Sequence, residues 1–377
     1  MRILHTSDWH VGRTIRGRSR VEEHREVLAE IAGVAGERQV DLVLVAGDLF
    51  DHAAPTAEAE SVVYRALLDL AQVAPVVLVA GNHDHPRRLE AVAPLLELGR
   101  VRVGSVPRPP EGGGLLEIPD LPVRVALLPF VSQRGIVRAG QLMESDADEH
   151  GGTYADRLRL VIERLCEPMT SDTVNIVLAH LSVHGAEVVG SERRAHVFGY
   201  ALPALAFPGS LSYVALGHFH RRQRVPAPAP TWYSGSPLQL DFGEAGDRKG
   251  VLVVEAEPGL PVAVEEVDVS SGTPLVVLRG TMEQVEAAVP AIGDAYVKVE
   301  LDEPPRAGLA DEIRGLVPGA VDVALVAYEP PIPGGERDVR AGRDPHELFV
   351  EYLRSRRVED DRLVGLFDEL LAEAHEA

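Results

Sequence analysis

Five short groupings in this sequence hold side chains able to bind divalent cations: Asp8-Trp-His10, Gly47-Asp48, Gly81-Asn-His-Asp84, His180 and Gly217-His-Phe-His220. Carboxylate oxygens suit hard ions such as Mn²⁺ and Mg²⁺, and imidazole suits Mn²⁺, Fe²⁺ and Zn²⁺. A mixed Asp/His/Asn set without cysteine favours Mn²⁺ or Fe²⁺ over a structural zinc. Two ions need a bridging carboxylate, and Asp48, alone in its grouping, is the natural bridge. Such a pair, roughly 3.5–4 Å apart, can activate a water and stabilise both the attacking and the leaving oxygen of a phosphate ester. A histidine that is not a ligand can then protonate the leaving alkoxide. His83, beside Asn82, is placed for that task. One histidine at a strand end is more often structural than chemical, so the reading rests on the conjunction of all five groupings. His52 and His184 lack that support.

Each grouping follows a short apolar run: Ile3–Thr6, Leu42–Ala46, Val76–Ala80, Ile176–Ala179 and Tyr213–Leu216. Such runs read as buried parallel strands, and open α/β folds place their ligands at the carboxyl ends of such strands. Helical spacing over Val21–Arg38 and Thr56–Val73 gives a βαβαβ opening, hence a parallel sheet covered by helices. A strand over Val123–Pro129 and a helix over Asp156–Glu167 follow. A β-rich run from Trp232 includes Gly250–Glu255 and Val264–Val269, which are expected to close a second sheet.

Ser270–Pro274 reads as a boundary. Beyond it, strands at Leu275–Leu278, Tyr296–Leu301 and Val321–Val326 alternate with helices at Met282–Val289 and Leu309–Leu316, which predicts a compact α+β module. Glu329–Gly335 is a linker by composition. Asp344 and Glu347 form a capping box for a helix carrying Leu348, Phe349, Tyr352 and Leu353 on one face. A second helix, Asp361–Glu373, stacks Leu363, Val364, Phe367, Leu370 and Leu371. The expected division is 1–272, 273–328, 329–343 and 344–377.

A chain of 377 residues with 45% hydrophobic content can bury a large core. Cys166 is the only cysteine, which leaves disulfides and cysteine metal sites out. No apolar run approaches the ~18–20 residues of a membrane span, and no signal-peptide pattern opens the sequence, so a cytoplasmic protein without membrane association is expected. The net charge of −21 is unevenly spread, because residues 273–377 hold 22 acidic against 11 basic residues. Such acidity disfavours nucleic acid unless basic patches or a partner assist. One patch is the loop Arg13, Arg16, Arg18 and Arg20; another is Arg221, Arg222 and Arg224. There is no Gly-x-x-x-x-Gly-Lys-Ser/Thr loop, so an ATP-driven step needs a second chain.

The segments His5–Gly12, Ala46–Asp51, Ala80–Asp84, Ala215–His220 and Tyr233–Gln239 resemble the calcineurin-like metallophosphoesterases. Trp9, the Gly-Ser-Pro-Leu-Gln segment and the C-terminal extension narrow the resemblance to the SbcD branch, over essentially the whole chain. Val11 and Phe219 stand where leucine is expected, and Arg222 where proline is usual. The resemblance implies an α/β fold: a two-sheet metallophosphoesterase sandwich flanked by helices, plus a small α+β capping domain and a C-terminal helical pair. It implies that Asp8, His10, Asp48 and His220 hold one ion, and that Asp48, Asn82, His180 and His218 hold the other. Mn²⁺ is the expected metal, with Mg²⁺ or Fe²⁺ as alternatives. His83 would be the catalytic acid and Asp84 its orienter. The family further implies exonuclease action on duplex DNA ends and endonuclease action on hairpins or single strands. The implied assembly is a homodimer within a heterotetramer that includes the ABC-type ATPase SbcC. The capping module would contact DNA and the last helices would dock SbcC; Arg13, Arg16, His52 and Arg221 are the candidate DNA contacts. Two other readings remain open at this point: a stand-alone phosphoesterase for small substrates, and an idle scaffold.

Overall fold

From the N-terminus, β1 (Arg2–Thr6) leads to a small hairpin, β2 (Thr14–Ile15) and β3 (Arg18–Ser19). Then come α1 (Val21–Glu37), β4 (Leu42–Val45), α2 (Ala57–Val73), β5 (Val76–Val79), α3 (Pro86–Leu98) and β6 (Val101–Gly104). A second run supplies β7 (Leu115–Glu117), β8 (Val123–Leu128), α4 (Tyr154–Cys166), β9 (Val174–His180), β10 (Tyr213–Gly217), β11 (Gln223–Val225), β12 (Thr231–Tyr233), β13 (Gly250–Glu255) and β14 (Ala263–Asp268). This is a computed structural model, and it describes residues 1–132, 135–136, 154–187, 201–326, 345–355 and 362–367. The chain divides into two compact units, Met1–Val326 and Ala327–Ala377.

The first unit contains two six-stranded sheets, in the orders β14-β13-β1-β4-β5-β6 and β11-β12-β10-β9-β8-β7. Their central strands are parallel. Period-two alternation explains the sandwich. Ile3, Leu42, Leu44, Val77 and Val79 face inward against Val125, Leu127, Ile176, Leu178 and Tyr213 of the other sheet. Leu4, Val43, Val45, Val76 and Leu78 face outward under α1 and α2. On the far side, Val177, Ala179, Val214 and Leu216 pack under Leu158, Val161, Ile162 and Leu165 of α4. Because both faces are covered, these strands read as unbroken apolar runs.

One expected placement is corrected. Gly250–Glu255 and Val264–Val269 extend the first sheet rather than closing the second: β13 pairs antiparallel with β1, and β14 with β13. A strand's side-chain pattern says which faces are buried but not which neighbour it pairs with. Here the bare edge of β1, with its unpaired amides and carbonyls, takes β13. The sequence reading also passes over α3, whose internal Pro94 interrupts its pattern.

The segment expected to form the capping module consists of β15 (Leu275–Gly280), α5 (Met282–Ala288), β16 (Tyr296–Leu301), α6 (Leu309–Leu316) and β17 (Ala320–Leu325), within the first unit. Its sheet is parallel, in the order β15-β16-β17, over its own core of Val285, Val297, Val299, Leu309, Ile313 and Val317. Thr281 and Gln284 close a capping box at α5.

The arginine-rich hairpin joins this module to the sandwich. Arg20, with its side chain fully buried, donates to Glu23 (2.8 Å) and to the carbonyls of Thr273 (3.1 Å) and Gln239. It also lies over the Tyr296 ring at 5.8 Å. Glu23 additionally accepts from Thr273 N (2.8 Å) and the Tyr296 hydroxyl (3.3 Å). Burial raises the Glu23 carboxyl, but Arg20 outweighs it and holds it below the usual range. Arg16 pairs with Asp322 of β17 at 2.8 Å, and Ile15, Phe242 and Leu275 form a small apolar seam.

In the second unit, α7 (Pro345–Ser355) precedes helical residues 362–367. Phe349 and Phe367 stack with centroids 4.2 Å apart, Leu353 is buried, and Tyr352 and Leu363 are exposed. The expected 329–343 linker, Asp344, Leu370 and Leu371 lie outside the described residues, as do the side chains of Glu347 and Leu348. Among the described residues no helix is long and apolar enough to cross a membrane.

Candidate metal centre

The five groupings meet at one edge because the strands that deliver them are parallel neighbours. β1, β4 and β5 of the first sheet end at Asp8/His10, Asp48 and Asn82; β9 and β10 of the second end at His180 and His218/His220. Backbone bonds lock the loops together, with Asp8 N on Gly47 O (2.9 Å) and His10 N on Asp48 O (3.0 Å). Trp9 is buried in the outer core and donates to Thr6 Oγ1 at 3.0 Å, which leaves its neighbours Asp8 and His10 to the site. Four of these positions have positive φ: Asp8 (51°), His10 (46°), Asp48 (52°) and His218 (111°). That conformation is unfavourable for residues with a Cβ, and its concentration here marks strain held for a purpose. A Cβ at Gly47 would lie 2.6 Å from His180 Nδ1, and one at Gly81 would overlap the Asp48 carboxylate. Only glycine lets these backbones approach.

Three overlapping sets of possible ligand atoms result: Asp8, His10 and His220; His10, Asp48 and His83; Asp8, Asp48 and His180. Asn82 Oδ1 adds contacts to His180 Nε2 (2.9 Å) and His218 Nδ1 (2.8 Å). His180 Nδ1 sits 2.7 Å from Ala46 O, His220 Nδ1 2.8 Å from Glu244 and His83 Nδ1 2.7 Å from Asp51 O. Each of these acceptors assigns the proton to Nδ1 and turns Nε2 into the lone-pair nitrogen. His10 Nε2 is buried with no hydrogen-bond partner, as a ligand nitrogen would be without its cation. Burial lowers His10 to about 4, and burial with His180 lowers His218 to about 3, so both rings are neutral and ligand-competent at pH 7. Burial would raise Asp48, but the surrounding His180, His10 and His83 hold it at about 2; Asp8 is pushed up to about 6 by burial. A mixed oxygen and imidazole donor set of this kind fits divalent cations.

The seven expected ligands and His83 are therefore brought together. Asp84 lies underneath, accepting from Leu49 N (3.0 Å), Phe50 N (3.2 Å) and Gly81 N (2.8 Å). It closes the turn that carries His83, whose ring nitrogen Nδ1 faces Asp51 O instead, and burial with the Asp48 charge raises the Asp84 carboxyl to about 7. The four candidate DNA contacts already face carboxylates: Arg13 and His52 face Asp51, Arg16 faces Asp322, and Arg221 faces Asp247 and Glu187. His184 is exposed in the turn after β9. Sequence reasoning missed Asp51, Ser7, Phe130 and Glu244. Asp51 approaches His10 Nδ1 at 3.5 Å, Ser7 Oγ donates to Asp8 (2.5 Å) and Phe130 stacks on His218. Asp51 closes the Ala46–Asp51 segment and could have been found there; Glu244 carries no local signal.

Residues 1–222 match the calcineurin-like phosphoesterases. Over its whole length the chain is 33% identical to the SbcD polypeptide of the Bacillus subtilis SbcCD nuclease, covering 100% of this chain and 99% of that one. The corresponding polypeptides of Rhodobacter capsulatus (36%, covering 81% and 78%) and Escherichia coli K12 (32%, covering 76% and 73%) are similar too. The chain belongs to the calcineurin-like phosphoesterase family, in the branch of the SbcD nucleases. That membership, with the donor sets above, makes it a metal-dependent phosphodiester hydrolase.

Proposed function

We propose that this chain is a Mn²⁺-dependent DNA nuclease, an exonuclease on duplex ends and an endonuclease on hairpins or single strands, acting in the cytoplasm with the ATPase SbcC. The observation that carries the chemistry is the three overlapping donor sets, linked in pairs through Asp8, His10 and Asp48, with His83 a member of one of them. Likeness to the Bacillus nuclease through the capping module and C-terminal unit favours DNA over a small phosphodiester. In the assembly two copies of this chain join SbcC, which the C-terminal helices dock.

Ions held by Asp8, His10, Asp48 and His220, and by Asp48, Asn82, His180 and His218, would supply an activated water and offset charge on the phosphate oxygens. The protein's part is positioning and proton transfer. Asp48 belongs to both sets and fixes their spacing. His83 keeps its Nδ1 proton on Asp51 O, so Nε2 is the nitrogen that takes up a second proton from water and delivers it to the departing sugar oxygen. Half-buried, the ring regains that proton from solvent. Arg13, Arg16, His52 and Arg221 are the candidates to track the DNA backbone, exchanging carboxylates for phosphates.

The test is cleavage of an end-labelled duplex by this chain, with and without SbcC, in Mn²⁺, Mg²⁺ or EDTA. Mn²⁺-dependent cleavage is expected, and His83→Ala should lower it by about 10²–10⁴-fold while keeping bound metal. Turnover of a small phosphodiester with no DNA cleavage under any condition would move the substrate to the small-molecule class.

A further inference from the structure

Behind the metal edge lies a buried ion pair that the proposed mechanism does not use. Glu244, fully buried, sits in the short turn Phe242–Glu244, which Asp241 caps through Gly243 N (2.9 Å). One carboxylate oxygen takes the Nδ1 proton of His220 at 2.8 Å. The other accepts from Leu240 N (3.0 Å) and Lys249 Nζ (2.7 Å). Lys249, also buried, spends its remaining two protons on His220 O and Ser236 Oγ, both at 2.9 Å. All three ammonium protons thus have acceptors. The same ion pair grips His220 twice, by its ring through Glu244 and by its backbone through Lys249.

Burying two charges is a poor way to stabilise a loop, since an apolar pair of similar volume often serves better. It is a good way to fix an imidazole. A carboxylate on Nδ1 sets the tautomer, raises the basicity of Nε2 and fixes the ring plane, as carboxylates behind metal-bound histidines do. Lys249 keeps that carboxylate charged in its dry surroundings. We infer that Glu244, held by Lys249, is a positioning residue for His220 and sets the affinity of the ion bound with Asp8 and His10. This rests on His220 being a ligand, the reading proposed above.

The test uses the full chain stripped of metal, titrated with Mn²⁺ by calorimetry and by electron paramagnetic resonance. Wild type should take two ions, giving the signature of two coupled centres. Glu244→Gln should weaken one of the two ions by 10–100-fold, so that at low Mn²⁺ an uncoupled single-ion signal dominates. Because Glu244→Gln strands a buried ammonium, the double variant Glu244→Gln/Lys249→Met, which removes both charges, should show the same weakening with the metal-free melting temperature near wild type. His220→Ala is the reference and should lose one ion. If both Glu244 variants bind two ions with wild-type affinity and coupling while His220→Ala loses one, Glu244 is only structural and the inference falls. If His220→Ala keeps both ions, the ligand reading fails, and the inference loses its premise with it.

Discussion

At the strand-end edge, five imidazoles and two carboxylates crowd together, four positions have unfavourable backbone angles, and one buried imidazole nitrogen has no partner. At the junction of sandwich and capping module, Arg20 is matched by Glu23 and two carbonyls, and Arg16 by Asp322. Both regions look chemically charged in the sequence. At the junction the guanidinium groups are matched by carboxylates and carbonyls; at the edge converging donors are left for divalent cations to complete. Convergence without satisfaction separates a site from a strut.

The contrast can be broken most sharply at Asp48. Asp48→Ala should remove metal from both donor sets and lower hydrolysis at least about 10³-fold, read from Mn²⁺ stoichiometry and cleavage rate. The metal-free variant should lose only about 1–2 kcal/mol of stability, because His83 N loses its acceptor on Asp48 Oδ1 (2.8 Å) while repulsion with Asp8 and Asp84 is relieved. A large loss of metal-free stability would show the edge to be structural.

Arg20→Ala should do the reverse. It should cost about 3 kcal/mol of stability in the metal-free chain by leaving Glu23 without its buried partner, with Mn²⁺ stoichiometry unchanged. Proteolysis at 270–274 should quicken as the module loosens.

A third check is pH. Burial lowers His24 to about 4 and His5 to about 3. Unfolded chains bind those protons near pH 6.5, so the contribution is complete above that value and is lost as pH falls toward 4. His24 alone should remove about 2 kcal/mol by pH 5 relative to pH 8. Urea midpoints of the EDTA-treated chain should fall accordingly, and His24→Leu should flatten the slope.

The smallest effect belongs to Arg16→Ala, below about 1 kcal/mol, since its pair with Asp322 is exposed. If Arg16 meets phosphate, the salt dependence of DNA binding falls by about one unit of slope; an unchanged slope leaves it a strut.

What was legible in the sequence follows the same division. The residues that gather at the edge could be read because each ends a short apolar strand, a relation confined to a few neighbours in sequence. The capping module was legible within a residue or two, since its strands and helices alternate with clear periods. Partners far apart in sequence were not. Arg16 reads as a phosphate seeker until Asp322 is seen beside it, and Glu244 is one acid among many until it is found behind His220. The pairing of β13 with β1 was hidden for the same reason, because alternation encodes faces and not neighbours.

The candidate ligands come from both halves of the sandwich: Asp8, His10, Asp48 and Asn82 from one sheet, His180, His218 and His220 from the other. Neither sheet alone has the donors to hold the pair of ions. A nascent or partly opened chain therefore carries no armed blade, and hydrolytic power switches on only when tertiary assembly is finished. For a hydrolase of phosphodiesters, completion of folding is a built-in safety catch.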